Sequence, residues 1–131
     1  MKRISIKSLH RKLWKPLTDF IKQRDGRKCF TCGKEIEPGK GLHCGHFIPS
    51  KICGHELRYD EDIIHVQCYF CNINLGGNGA IFYRRMLEEY GEEKVNEIFI
   101  RLERYKKDKP KWEEIDYINK IEYYKNKIKS K

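Results

Sequence analysis

Three short stretches decide how this chain folds: Cys29-Phe30-Thr31-Cys32, then LHCGHFIPS at 42–50, then IHVQCYFCN at 64–72. The first and last each hold a C-x-x-C pair, and 35 residues separate the two pairs. Two thiolates with two residues between them sit at the edge of a tight turn, and two such knuckles complete a tetrahedral zinc site. Gly33, directly after the first pair, suits the sharp backbone that a knuckle needs. A site closed by Cys29, Cys32, Cys68 and Cys71 leaves no coordination position open, so its role is structural. The competing reading is a set of buried free thiols or a redox pair.

Working outward, the flanks differ from this centre. The chain has 131 residues, 28 of them Lys or Arg and 19 Asp or Glu, for a formal net charge of +9. Residues 1–28 hold ten basic and two acidic side chains, whereas 29–80 hold four and six. All six cysteines lie in that middle block. The basic excess points to a polyanionic partner, with nucleic acid ahead of an anionic membrane. No apolar run approaches the roughly 20 residues of a membrane span. The basic start MKRISIKSLHRKLW lacks the apolar core of a secretory signal. The expectation is therefore a cytoplasmic chain with reduced thiols, which favours metal ligands over disulfides.

The apolar spacing predicts a single domain over 1–131, with a basic N-terminal helix within 1–28, a zinc-stapled centre over 29–80 and C-terminal helices over 81–131. Leu9, Leu13, Trp14, Leu17, Phe20 and Ile21 recur at helical steps across 5–24. Pro16 predicts a kink or a late start there, and Asp25-Gly26 predicts the end. The glycine- and proline-rich block 29–62 reads as short strands and loops, and 63–67 as a strand. Gly91 and Pro110 separate three further amphipathic helices, with 106–111 as a basic connector and 125–131 as a fraying tail.

A strand ending in His-hydrophobic-Ile-Pro, a second strand, and C-x-x-C-Asn opening a helix resemble the ββα-metal, or HNH, nuclease motif. The resemblance sharpens to the NinG/Rap recombination proteins of lambdoid phages. It rests on KLW (12–14), QRDGRKCFTCGK (23–34), GHF (45–47), ELRY (56–59), IHVQCYFCN (64–72), LGGN (75–78), Tyr83, Leu87 and Tyr90-Gly91, in order across about 12–100. It implies an α+β fold with an HNH-like centre flanked by amphipathic helices. It also implies divalent-ion-dependent cleavage of branched or Holliday-junction DNA, leaving 5′-phosphate and 3′-hydroxyl ends, and a homodimer.

Carried over residue by residue, His46 takes the general-base place and Asn72 the last ligand place for a catalytic Mg²⁺ or Mn²⁺. The carboxylate that usually precedes the base is Gly45 here, and His43 stands where the NinG pattern offers an Asp, so His43 is the candidate substitute ligand. His65 matches a family position and is either a phosphate contact or a buried, hydrogen-bonded histidine. Arg58 is either a phosphate contact or the partner of Asp60 or Glu61. Lys12, Lys15 and Lys22 on the first helix are candidate DNA contacts. Asn72 also suits a helix N-cap.

Two departures, Gly45 in place of the usual carboxylate and Ile63 in place of the family's Asn before Ile-His, keep a rival reading open: a catalytically silent zinc module that binds DNA. A further rival is a helix-mediated interaction protein. The repeat of Cys44-Gly45-His46 as Cys53-Gly54-His55 also permits a second zinc, which would make His46 a structural ligand.

Overall fold

The computed structural model describes residues 4–129; Lys2, Arg3, Ser130 and Lys131, part of the basic start and tail, lie outside the described residues. Ser5 opens the first helix by accepting the Ser8 amide on its hydroxyl at 3.1 Å, the usual cap chemistry. Helix α1 then runs Ile6–Asp25 without a break at Pro16. The expected late start is thus corrected. Pro16 is itself buried, together with Leu9, Leu13, Leu17 and Ile21. Burial of each large aliphatic is worth about 2 kcal/mol, enough together to offset one missing helix bond. The Thr18 hydroxyl donates to the Trp14 carbonyl at 2.8 Å.

Strands β1 (Leu42–His46) and β2 (Ile64–Cys68) form an antiparallel pair, with Leu42 opposite Cys68, His43 opposite Gln67, Gly45 opposite His65 and His46 opposite Ile64. The connection between them carries a short helix, α2 (Gly54–Arg58), and a turn at Glu61–Ile63. After the second knuckle the chain makes one wide helical turn, Phe70–Asn74, in which the Leu75 amide reaches back five residues to the Phe70 carbonyl at 2.9 Å. Helices α3 (Gly79–Tyr90), α4 (Glu92–Asp108) and α5 (Glu114–Lys129) follow. The connector starts later than expected, because α4 continues through Lys106 and Lys107.

Helix α5 returns along α1, with Phe20 against Tyr124 at 5.5 Å between ring centres. Tyr59, Trp112 and Tyr117 join α2 to the start of α5 by ring contacts of 5.1–5.7 Å. Helix α1 therefore lies against both strands and against α5.

Every residue of β2 is buried, including His65 at 3% exposure and Gln67 at 0%. A polar side chain in such a place needs partners, and the ends of α1 and α3 supply them for His65. Its Nδ1 lies 3.2 Å from Asp25 Oδ2, and its Nε2 lies 2.9 Å from the Tyr90 hydroxyl. Asp25 Oδ2 also accepts the Val66 amide at 3.0 Å. Arg24 donates to the carbonyls of Glu61 at 2.8 Å and Ile64 at 2.6 Å. Burial alone would raise the Asp25 carboxyl, but hydrogen bonds from His65, Arg24 and Val66 outweigh it and hold the group well below the ordinary carboxylate range.

A carboxyl depressed in the folded state contributes its stability above its unfolded value of about 4 and loses it as pH falls below that. Asp25→Asn is therefore expected to destabilise the chain at neutral pH by about 3 kcal/mol, with a smaller deficit at pH 3. Thermal unfolding at the two pH values is the check, and equal midpoints for variant and parent at neutral pH would refute it.

Candidate functional site

The two knuckles meet as their spacing requires. The four Sγ atoms of Cys29, Cys32, Cys68 and Cys71 all lie within 4.8 Å of one another, and Cys32 Sγ is 3.9 Å from Cys68 Sγ. A tetrahedron with Zn–S bonds of about 2.3 Å has sulfur–sulfur edges of about 3.8 Å, so the set fits zinc. The first knuckle is closed by the Gly33 amide on the Cys29 carbonyl at 2.9 Å. Burial would raise the Cys29 thiol, yet the backbone N–H of Cys32 and the Thr31 hydroxyl, 3.3 Å from its sulfur, bring it down to about 6. Such donors favour the thiolate that a metal binds. Cys71 Sγ receives the Asn78 amide at 3.7 Å.

The alternative second site does not assemble. Cys53 Sγ donates weakly to the carbonyls of Ser50 and Gly54 at 3.8 and 3.6 Å. His55 Nδ1 accepts the Trp112 amide at 2.9 Å. Burial pushes the thiols of Cys44 and Cys53 up to about 11. Among the described residues, the four knuckle cysteines form the metal-competent Cys/His/carboxylate cluster.

A cleft of about 570 Å³ opens where β1 ends, lined by His10, Trp14, Cys44, Gly45, His46, Ser50, Arg58 and Asn72. His46 Nε2 lies 2.8 Å from the Arg58 carbonyl. A carbonyl only accepts, so Nε2 carries the proton and Nδ1 keeps its lone pair. The indole of Trp14 stacks on the His46 ring at 5.4 Å and 12°, which fixes the imidazole plane. Burial lowers the His46 pKa below its usual 6.5, with the nearby Arg58 charge adding to this and the carbonyl bond opposing it. His46 is thus a neutral imidazole of defined tautomer.

Asn72 enters the cleft from the wide turn after the second knuckle. It lies within that turn, with no cap hydrogen bond there. Arg58 also lines the cleft, and its guanidinium donates to the Ser50 carbonyl at 3.1 and 2.8 Å. The expected alternative partners are engaged elsewhere, Asp60 by Arg101 at 2.7 Å and Glu61 by the Tyr124 hydroxyl at 3.3 Å.

Two expected site residues are not brought to the cleft. His43 sits opposite Gln67 in the register, but its ring packs beside Tyr69 at 5.6 Å and its Nε2 crowds Gly41. His65 is the buried, hydrogen-bonded histidine of its two readings, stacked on Phe30 at 3.8 Å between ring centres. Lys12, Lys15 and Lys22 are exposed on α1, although Lys15 pairs with Asp19 at 2.8 Å.

Sequence reasoning missed His10 and Gln67. His10 stacks on Trp14 at 5.7 Å, and its Nδ1 is 2.6 Å from the Tyr59 hydroxyl. The i, i+4 spacing of His10 and Trp14 was the available signal. For Gln67 the signal was an uncharged polar residue in an otherwise buried strand.

A two-stranded sheet beside a cluster of four cysteines that could hold a metal, set among helices, defines a mixed, mostly helical class of fold. The family model described as "Bacteriophage Lambda NinG protein" matches residues 2–131, and the chain belongs to the NinG family. Protein ninG of Escherichia phage 933W is 32% identical over 80 residues, covering 60% of this chain and 38% of that protein. Protein ninG of Escherichia phage lambda is 31% identical over 80 residues, with the same two shares. The matched stretch thus spans well under half the length of these relatives. No solved structure gives a significant match. Among the described residues, no helix is long and apolar enough to cross a membrane.

Proposed function

We propose that this NinG-family chain is a divalent-ion-dependent DNA endonuclease of HNH type that acts on branched or four-way-junction DNA during phage recombination. The observation that carries the reading is His46: neutral, stacked on Trp14, and bonded through Nε2 to a backbone carbonyl, with Asn72 in the same cleft. That arrangement leaves Nδ1 to take a proton from a water attacking a phosphodiester. Asn72 would hold Mg²⁺ or Mn²⁺, which supplies charge stabilisation at the scissile phosphate and the leaving 3′ oxygen. Arg58 and His10 line the same cleft and are suited to a phosphate oxygen, the first as a fixed cation and the second as an N–H donor. Cys29, Cys32, Cys68 and Cys71 would hold zinc, which would keep the Asn72 turn against β2.

A second reading is favoured by one specific observation: no carboxylate lines the cleft. On that reading the chain binds DNA without cutting it. Incubation with linear, flapped and four-way-junction DNA in Mg²⁺, Mn²⁺ or EDTA separates the two. Ion-dependent cleavage supports the nuclease, and binding with no cleavage of any substrate supports the silent module.

The exposed lysines of α1 contribute affinity on either reading. Changing Lys12, Lys15 and Lys22 to Gln is expected to weaken DNA binding across sequences and flatten its salt dependence by about one unit per lost phosphate contact. Binding isotherms from low to high salt are the measure, and an unchanged slope would show that α1 does not touch DNA.

A further inference from the structure

We infer that Gln67 is an oxygen ligand of the divalent ion in the His46–Asn72 cleft, delivering from β2 the oxygen that a carboxylate at position 45 would otherwise supply. The inference rests on the nuclease reading for the ion's chemistry.

Gln67 is fully buried. Its Nε2 donates to Thr31 Oγ1 at 3.1 Å and to the Gly77 carbonyl at 2.9 Å, so both amide hydrogens are used. Turning the amide over would set Oε1 against the Gly77 carbonyl, acceptor to acceptor, and the orientation is therefore fixed. Thr31 strengthens this constraint, because its hydroxyl also lies 3.3 Å from Cys29 Sγ. Against a metal-bound thiolate it must donate, which leaves its lone pairs for Gln67.

Oε1, so aimed, has no hydrogen-bond partner, a costly state for a buried acceptor. It occupies the space that a Cβ on Gly45 would need, and Asn72 Oδ1 lies 3.1 Å from that same point. Two carbonyl oxygens thus converge on one small space beside Gly45, a cleft-lining residue. Two such oxygens repel unless a cation or a donor lies between them.

The register explains the exchange. Gln67 is opposite His43 and diagonal to Gly45 on one face of the sheet, within reach of a long side chain. Any side chain at position 45 would strike the Gln67 amide, so glycine at 45 and glutamine at 67 are two halves of one arrangement. Both oxygens are neutral and the cleft walls hold no carboxylate, so a DNA phosphate must balance the ion's charge. The ion should bind weakly to the protein alone and tightly with DNA present.

The test uses the zinc-loaded full chain carrying His46→Ala, so that DNA stays uncut. Mn²⁺ is titrated with and without four-way-junction DNA, and free Mn²⁺ is read by electron paramagnetic resonance. Gln67→Met is expected to weaken DNA-dependent Mn²⁺ binding about tenfold or more with zinc content retained. Gln67→Glu should bind Mn²⁺ without DNA. The double change Gly45→Asp with Gln67→Ala places a carboxylate in the vacated space and should restore binding, whether or not Gln67→Met folds.

Unchanged Mn²⁺ affinity in folded Gln67→Met, or no recovery in the double variant, would overturn the assignment. If the parent chain cleaves DNA while Mn²⁺ binding ignores Gln67, the ligand assignment falls and the nuclease reading stands. If Mn²⁺ binding depends on Gln67 and the parent never cleaves, the ion site stands and the nuclease reading falls.

Discussion

Purified chain should carry one zinc per molecule, and removing it, or changing Cys68 to Ser, is expected to abolish the cooperative unfolding transition. The knuckles join segments 35 residues apart in sequence, and the first is otherwise held by a local bridge between Lys28 and Glu35 and by Phe30 packed on His65 and Phe82. The Phe30 amide bonds to the Val66 carbonyl at 2.8 Å, and Thr31 meets Gln67 at 3.1 Å, but both contacts depend on the knuckle geometry. A structural zinc site is worth about 10 kcal/mol or more at neutral pH, comparable to the whole stability of a small domain. The pairing of α1 with α5 should keep residual helix, so far-ultraviolet dichroism will fall only in part while the near-ultraviolet signal is lost. Elemental analysis and thermal melts decide the matter. A zinc-free folded protein, or an unshifted transition in Cys68→Ser, would remove the centre from the account.

The metal centre was the most legible feature because its information is local: two C-x-x-C pairs dictate the same chemistry in almost any fold. The helices were nearly as clear, since apolar residues at three- and four-residue steps demand a partner surface, and α1 and α5 supply it for each other. Pro16 misled about where the helix starts, because the cost of one proline is local while the burial of Leu9, Leu13, Leu17 and Ile21 acts along the whole helix. The connection 47–63 was hard to read because α2 has only five residues, too few for a periodicity.

The candidate cleft was legible only in part. His46 and Asn72 share a cleft, as the resemblance implied they would. His43 and His65 do not reach it, for reasons set by register and packing. His65 shares the sheet face of Gly45 and Gln67, but Asp25, Tyr90 and Phe30 already use both nitrogens and one ring face. His43 turns toward Tyr69. A histidine in a motif carries no record of which neighbour will claim it, and that choice is made by strands and helices distant in sequence. The missing carboxylate at position 45 reads in one dimension as a loss. In three dimensions the space beside Gly45 is filled by Gln67.

The last expectation concerns His46 itself. His46→Ala should lower DNA cleavage by about 10²–10⁴-fold, the usual range for loss of a positioned general base, with zinc content and DNA affinity retained. The ring does no more for the fold than stack on Trp14 and bond to the Arg58 carbonyl, so the variant should fold. The pH profile adds an independent check. A base must be neutral to accept a proton, and burial holds the His46 pKa below 6.5, so activity should be at its plateau at pH 7 and fall only as pH drops below 6.5. The Arg58 carbonyl sharpens this, because it holds the proton on Nε2 and so presents the unprotonated Nδ1. Changing Trp14 to Leu removes the stacking that fixes the ring plane, and it should cut the rate while leaving the acid limb near the same pH. An acid limb well above pH 6.5, or full cleavage by His46→Ala, would assign the proton transfer to another group in the cleft, with His10 the first to test.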